Sequence, residues 1–218
     1  MYNFIIPYRN RKEHLDEFIK RFTCFNIDAH FYIIHQFNSD EFNRGAIKNI
    51  GFLEASKIHP DGLFIFHDVD TYPTSWGSII YDTKKGEIRH PVGVKCENIG
   101  TVCCFWKNEF EKVNGFPNYW GWGIEDVTIM YRAKKNNIHI DETNIVEVLY
   151  DSKKCYRPEH YRNKKEYDYA KKNIELHNQE LESGITNGLS NIEYKVLSSV
   201  ELAPRFTLIN VDFKLKNV

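Results

Sequence analysis

The sequence predicts an α/β fold built around a largely parallel sheet. The first observation is the order of its apolar patterns. Short continuous runs alternate with helical stripes as β-α-β-α-β up to Phe66. The second is that Leu63-Phe64-Ile65-Phe66 is a continuous apolar run, as befits a strand covered on both faces. The third is size: 218 residues, 42% apolar and 15% aromatic, suffice for a sizeable core.

Residues 4–7 form a first strand that ends in proline. A helix over 12–22 follows, with Leu15, Phe18, Ile19 and Phe22 at helical spacing. Residues 29–36 read as a second strand. Phe42-Asn43-Arg44-Gly45 opens a second helix striped by Ala46, Ile47, Ile50, Leu53 and Ile58. His59-Pro60-Asp61-Gly62 stops it. The third strand, 63–66, runs into His67-Asp68-Val69-Asp70. Beyond it the pattern predicts a strand over 101–107, a short helix over 108–113 and a glycine-aromatic loop over 114–123. A helix over 125–136, a strand over 145–150 and a charged helix over 164–182 come next. Two late strands, 191–199 and 205–214, close the chain. The whole of 1–218 is expected to be one domain, with 162–218 packing on it as helix and strands.

Charge narrows the function. Lys plus Arg number 29 and Asp plus Glu 30, a net charge of -1. That gives no basic field for nucleic acid, so an anion site must be built locally. No apolar stretch approaches the roughly 20 residues of a membrane span. The N-terminus reads as a strand, with no basic region or cleavage site of a signal peptide. Five cysteines without a Cys-x-x-Cys pair argue for free thiols.

In open α/β sheets ligands bind beyond the carboxyl ends of strands. Arg9, Arg11, Asp68 and Asp70 stand just past such ends. Asp68-Val69-Asp70 holds two carboxylates that repel unless a cation or a proton intervenes, which suits a hard divalent ion on a diphosphate. The same residues also suit a solvated turn. In Trp120-Gly121-Trp122-Gly123-Ile124-Glu125-Asp126, glycines admit a ligand close to the backbone and indoles match sugar faces. Glu125 and Asp126 open a helix, where the dipole favours their charged forms and a general base is well placed. A turn with two core tryptophans is the plainer alternative. Arg9, Arg11 and Arg44 suit a phosphate clamp, or are surface arginines.

Taken in order, five segments resemble one family. They are Pro7-Tyr8-Arg9-Asn10-Arg11, Phe42-Asn43-Arg44-Gly45 with Asn49-Ile50-Gly51-Phe52, and Asp68-Val69-Asp70. The loop from Asn114 to Asp126 and Gly188-Leu189-Ser190-Asn191-Ile192-Glu193-Tyr194 complete the set. The chain resembles the β-1,4-galactosyltransferases, inverting glycosyltransferases, from Pro7 to about Asp212.

The resemblance implies a GT-A fold with a mixed, mainly parallel sheet, a UDP-sugar donor and Mn2+. It implies that Pro7, Tyr8, Arg9 and Arg11 bind uridine and phosphate, with Phe42, Asn43 and Arg44 on the other side. Asp70 would ligate the metal, with Asp68 supporting ribose or metal and Val69 between them. Trp122 would sit between donor and acceptor, flanked by Trp120, Gly121 and Gly123. Glu125 would hold sugar hydroxyls, and Asp126 would be the base.

The chain also departs from the family. Val127 and Thr128 stand where a run of acidic residues continues, so one acceptor carboxylate is missing. The family's later metal-ligating histidine has Asp151 as its first counterpart here and His160 as its second. Asn98, two before Gly100, is smaller than the aromatic residue of galactose users and leaves room for an N-acetyl group. Both UDP-galactose and UDP-N-acetylgalactosamine are therefore candidate donors. With neither anchor, stem nor disulfides, the chain is expected to be a viral or bacterial type working in the cytoplasm. A glycan, lipid-linked or glycoprotein acceptor is expected. The alternatives are a non-catalytic glycan- or nucleotide-sugar-binding protein, and a nucleotidyltransferase. The latter lacks a glycine-rich loop after the first strand.

Overall fold

The computed structural model describes residues 1–147, 153–158, 163–184 and 187–216. The first five elements are β1 (Tyr2–Tyr8), α1 (Lys12–Thr23), β2 (Ala29–Gln36), α2 (Arg44–Ile58) and β3 (Leu63–His67), as expected. Next come β4 (Tyr72–Pro73), β5 (Glu87–Val92), β6 (Val102–Phe105), α3 (Lys107–Lys112), α4 (Glu125–Lys135), β7 (His139–Asp141) and β8 (Cys155–Tyr156). The chain finishes with α5 (Lys164–Ser183), a 3-10 turn (Leu189–Asn191), β9 (Ile192–Ala203) and β10 (Phe206–Leu215).

Eight strands form one sheet in the order β7-β5-β6-β3-β1-β2-β10-β9. The pairs β1–β2, β1–β3, β2–β10 and β5–β7 are parallel, and the remaining three are antiparallel. The mixed, mainly parallel sheet is therefore as expected. One core gathers Ile5, Ile34 and Phe66 beneath α2 and α4, with Ile47, Ile50 and Ile129. The other gathers Phe4, Phe31 and Ile65 beneath α1, with Leu15, Phe18 and Phe22. Alternate side chains of one strand thus feed opposite cores, which is why Phe4-Ile5-Ile6 of β1 and Leu63-Phe64-Ile65-Phe66 of β3 are apolar at successive positions.

Three expectations are corrected. Residues 145–147 are not a strand. Val146 makes a single bridge to Val92, and 148–150 lie outside the described residues. Instead β7 pairs with β5, and neither was expected. Strand β9 runs on to Ala203 as an edge strand. Two register irregularities against β10 and many exposed positions blunt its free edge. All five cysteines are free thiols. No helix of the described residues is long and apolar enough to cross a membrane.

Candidate active site

The strands β1 and β3 deliver Arg9, Arg11, Asp68 and Asp70 to one rim of the sheet. There a cleft of about 1210 Å³ opens, larger than the roughly 300–1,000 Å³ of common small-molecule pockets. Pro7, Arg9, Arg11, Phe42, Arg44, Asp68, Val69, Asp70, Gly121, Trp122, Gly123 and Glu125 line it, so most of the expected site residues are brought together. Tyr8, Asn43, Trp120, Asn98, Gly100 and Asp126 are not among the lining residues. Asp151 and His160 lie outside the described residues.

Buried amides stitch the sequence motifs to one another. Asn43 caps α2, its Oδ1 accepting from Ala46 N at 2.9 Å, and Gly121 N donates back to Phe42 O at 3.0 Å. Asn49 Nδ2 donates to Phe116 O (2.7 Å) and Asn118 Oδ1 (2.9 Å). Asn118 in turn donates to Gly188 O (2.8 Å) and Asn191 Oδ1 (2.9 Å). Three distant segments are therefore locked together by hydrogen bonds between buried amides and backbone. Gly121 has φ +74, and a Cβ there would lie 2.1 Å from the Tyr169 ring, so the loop admits only glycine.

The charges form a continuous chain. Arg44 Nη1 donates to Glu125 Oε1 and Nη2 to Asp68 Oδ1, both at 2.8 Å. Arg157 Nη2 donates to Asp68 Oδ2 at 3.2 Å, and its Nε lies 3.4 Å from Asp70 Oδ1. Arg11 Nη1 donates to Asp70 Oδ2 at 2.6 Å. Burial disfavours the Asp68 carboxylate, but Arg44 and Arg157 outweigh it and hold the group below its ordinary value. Glu125 goes the other way. Burial pushes it up against the pull of Arg44, and the nearby Asp126 charge adds to the push. This corrects the expectation that the helix dipole governs both carboxylates. Glu125 is 4% exposed, and desolvation wins there.

Asp126 occupies the first turn of α4, where its Oδ1 accepts from Val127 N at 2.9 Å. Its Oδ2 lies against Gly100: a Cβ there would sit 2.3 Å from that oxygen. Asn98 Oδ1 accepts from Gly100 N at 2.9 Å. The Asn98–Gly100 turn thus leans on Asp126. Trp120 stacks on Phe213 with ring centroids 5.6 Å apart, so it serves the core side of the loop. Trp122 lines the cleft and meets Tyr167 edge-on at 6.4 Å.

Sequence reasoning missed Arg157, Lys165 and Tyr169, which also line the cleft. Arg157 follows the two-residue strand β8, and nothing local marks it. Tyr169 had a signal in the glycine it packs against.

Three buried polar atoms at or beside the cleft lack a hydrogen bond: Arg44 Nε, Asn43 Nδ2 and Asp70 Oδ1. A buried carboxylate oxygen without a hydrogen bond, in a cleft of hard oxygen donors, fits a divalent ion. Among the described residues no group of three ligating side chains is assembled.

Two family models cover most of the chain. The N-terminal region of glycosyl transferase group 7 matches residues 2–81, and the N-terminal domain of galactosyltransferase matches residues 93–161. The β-1,4-galactosyltransferase 4 of Cricetulus griseus is 35% identical over 221 residues. The chain belongs to the β-1,4-galactosyltransferase family, glycosyltransferase group 7. That alignment takes in 96% of this chain and 62% of the relative, so this family member spans under two thirds of the curated protein it matches. The catalytic domain of Drosophila β1,4-galactosyltransferase 7, solved with xylobiose, superposes with a TM-score of 0.82 at 23% identity. The match covers 99% of this chain and 94% of that one. A variant of the Drosophila enzyme, solved with manganese, UDP-Gal and xylobiose, matches with a TM-score of 0.78 at 22% identity. The shared fold bears out the GT-A expectation.

Proposed function

We propose that this chain is an inverting glycosyltransferase that moves galactose, or N-acetylgalactosamine, from a UDP-sugar to a glycan hydroxyl with a β-linkage. Residues 1–218 would act as one catalytic unit, since one sheet takes strands from both ends of the chain. The observation that carries the reading is Arg44, held between Asp68 and Glu125. It ties three family motifs into one cleft. A Drosophila relative binds manganese, UDP-Gal and xylobiose in a matching fold, which supports the same ligand classes here.

In this reading Pro7, Tyr8, Arg9 and Phe42 hold the nucleotide, and Arg11 and Arg44 face the diphosphate. Asp70 would hold Mn2+, with Asp151 and His160 as the further ligands proposed from the sequence. A divalent ion there supplies Lewis-acid stabilisation of the departing phosphate. Asp126 takes the proton from the acceptor hydroxyl as that oxygen attacks the anomeric carbon, a role typically worth about 10²–10⁴-fold. Glu125 holds sugar hydroxyls, and the anomeric centre inverts. Trp122 offers an apolar face to the sugars, and Asn98 leaves space beside the donor. A glycan, lipid-linked or glycoprotein acceptor fits a cleft of this size.

The test is a panel of UDP-sugars with Mn2+ and xyloside or N-acetylglucosaminide acceptors, with EDTA as control. Asp126→Asn should lose transfer and keep UDP binding. Full turnover by that variant would remove Asp126 from its role. UDP-sugar binding without transfer or hydrolysis on any acceptor would favour the non-catalytic alternative.

A further inference from the structure

Asp68 and Asp70 already have a cation between them. Tyr156 of β8 pairs with Tyr72 of β4, and this short ladder delivers Arg157 to the cleft. Its guanidinium spans both carboxylates. Nη2 donates to Asp68 Oδ2 at 3.2 Å, Nε stands 3.4 Å from Asp70 Oδ1, and Nη1 donates to Thr101 Oγ1 at 3.2 Å. These contacts are long for charge-assisted pairs, which run near 2.7–2.9 Å. Arg11 and Arg44, by contrast, hold the other oxygens of the same two carboxylates at 2.6 and 2.8 Å. Exposure does not separate Arg157 from Arg11, at 35% and 36% of their side chains, so the contact lengths carry the distinction. Two arginines are therefore fixed parts of the site. The third sits loosely on the oxygens left over, one of which has no hydrogen bond at all.

We propose that Arg157 is a displaceable internal counter-ion. It neutralises Asp68 and Asp70 in the metal-free chain, and it competes with a divalent ion for Asp70 Oδ1 and Asp68 Oδ2. Loading the ion requires the guanidinium to release those oxygens. The planar fork matters as well as the charge, because it reaches both carboxylates at once. The inference rests on the reading of Asp70 as a metal ligand.

The experiment titrates Mn2+ alone, without nucleotide, into the full chain and follows free Mn2+ by its EPR signal. Arg157→Gln should bind Mn2+ about tenfold more tightly than the wild type, equivalent to about 1.4 kcal/mol. Arg157→Lys, which keeps a charge and loses the fork, should fall between them. Arg9→Gln removes a charge that lines the same cleft but bonds to the Asp40 carbonyl, and should leave affinity unchanged. Asp70→Asn tests the underlying reading and should abolish binding. Thermal unfolding without metal establishes that each variant is folded. If Arg157→Gln is not folded, Arg157→Lys carries the comparison. Equal or weaker Mn2+ binding by the Arg157 variants overturns the proposal alone, as does an equal gain in Arg9→Gln. Absence of Mn2+ binding in every protein, or undiminished binding by Asp70→Asn, overturns the metal reading and the proposal with it.

Discussion

Arg44→Met isolates what the central ion pair contributes. Methionine keeps much of the side-chain length but removes the guanidinium from Glu125 and Asp68. The two carboxylates are not stranded equally. Asp68 keeps Arg157 at 3.2 Å, whereas among the described residues no other salt bridge to Glu125 is found. Its neighbour Lys48 acts on it only through space. The cost should therefore be close to that of breaking one buried pair, about 3–5 kcal/mol. That is a large part of the roughly 5–15 kcal/mol that keeps a domain folded. The loss should depend on pH. Burial already raises the Glu125 pKa in the folded chain, so its protonated form is favoured on folding and the penalty shrinks as pH falls. The gain is at most about 1.4 kcal/mol per pH unit. Urea unfolding followed by circular dichroism at pH 7 and pH 5 measures this. The double variant Arg44→Met/Glu125→Gln should recover most of the loss, because no charge is left unpaired. A cost below about 1 kcal/mol at pH 7 would refute the reasoning, as would an equal cost in the Glu125→Gln background.

His67 is fully buried, and burial lowers its pKa to about 4. The unfolded chain binds its proton more readily, so stability present above about pH 6.5 should fall by roughly 3 kcal/mol as pH drops towards 4. Urea midpoints for His67→Gln should show a visibly shallower decline over that range; an unchanged slope would clear His67 of responsibility. Gly100→Ala places a Cβ 2.3 Å from Asp126 Oδ2. Steady-state kinetics should show kcat falling about 10²-fold with donor KM little changed, and wild-type kcat would separate Asp126 from the reacting hydroxyl. Ile124 is a β-branched residue at φ +77, a conformation that costs about 1–2 kcal/mol. Ile124→Gly should raise the urea midpoint, against the usual effect of glycine at a helix start, and a lowered midpoint would show that the Ile124 side chain outweighs its backbone strain.

The first half of the fold was legible because its strands are buried on both faces, which leaves short apolar runs such as Phe4-Ile5-Ile6 and Leu63-Phe64-Ile65-Phe66 in an otherwise polar chain. Strand β5 was hidden because its polar residues are satisfied far away. Arg89 reaches Asp141 at 2.5 Å and His90 meets Glu142 at 3.1 Å, both about fifty residues on. Tertiary pairing there overrides local propensity. The arginines and aspartates past β1 and β3 were legible for a topological reason, since parallel strands deliver their carboxyl ends to one rim. Glu125 and Asp126 were legible as a helix start, but their different fates were not. One faces Arg44 in the cleft and the other Gly100, and adjacent residues on a helix point about 100° apart. Arg157 was beyond local inference, because β8 is only two residues long and exists through its pairing with β4.

The charge of the cleft bears on why, in the proposed reading, a metal would serve a near-neutral chain better than a basic surface. Among the described lining residues, Arg9, Arg11, Arg44, Arg157 and Lys165 face Glu41, Asp68, Asp70, Glu97, Glu125, Glu147 and Glu166. Five cations against seven carboxylates make a site that repels a diphosphate, and several of the cations are already committed. Arg44 serves two carboxylates, Lys165 pairs with Glu41, and Arg11 holds Asp70. An anionic nucleotide entering alone would have to break those pairs, leaving buried carboxylates uncompensated. A divalent cation that enters with it changes the sign of the problem. Its charge would offset that of Asp68 and Asp70, and the guanidinium of Arg157 would become available to phosphate oxygens. Donor and cation should therefore bind cooperatively, each tightening the other by the same factor. The source of that coupling would be the surplus of carboxylates.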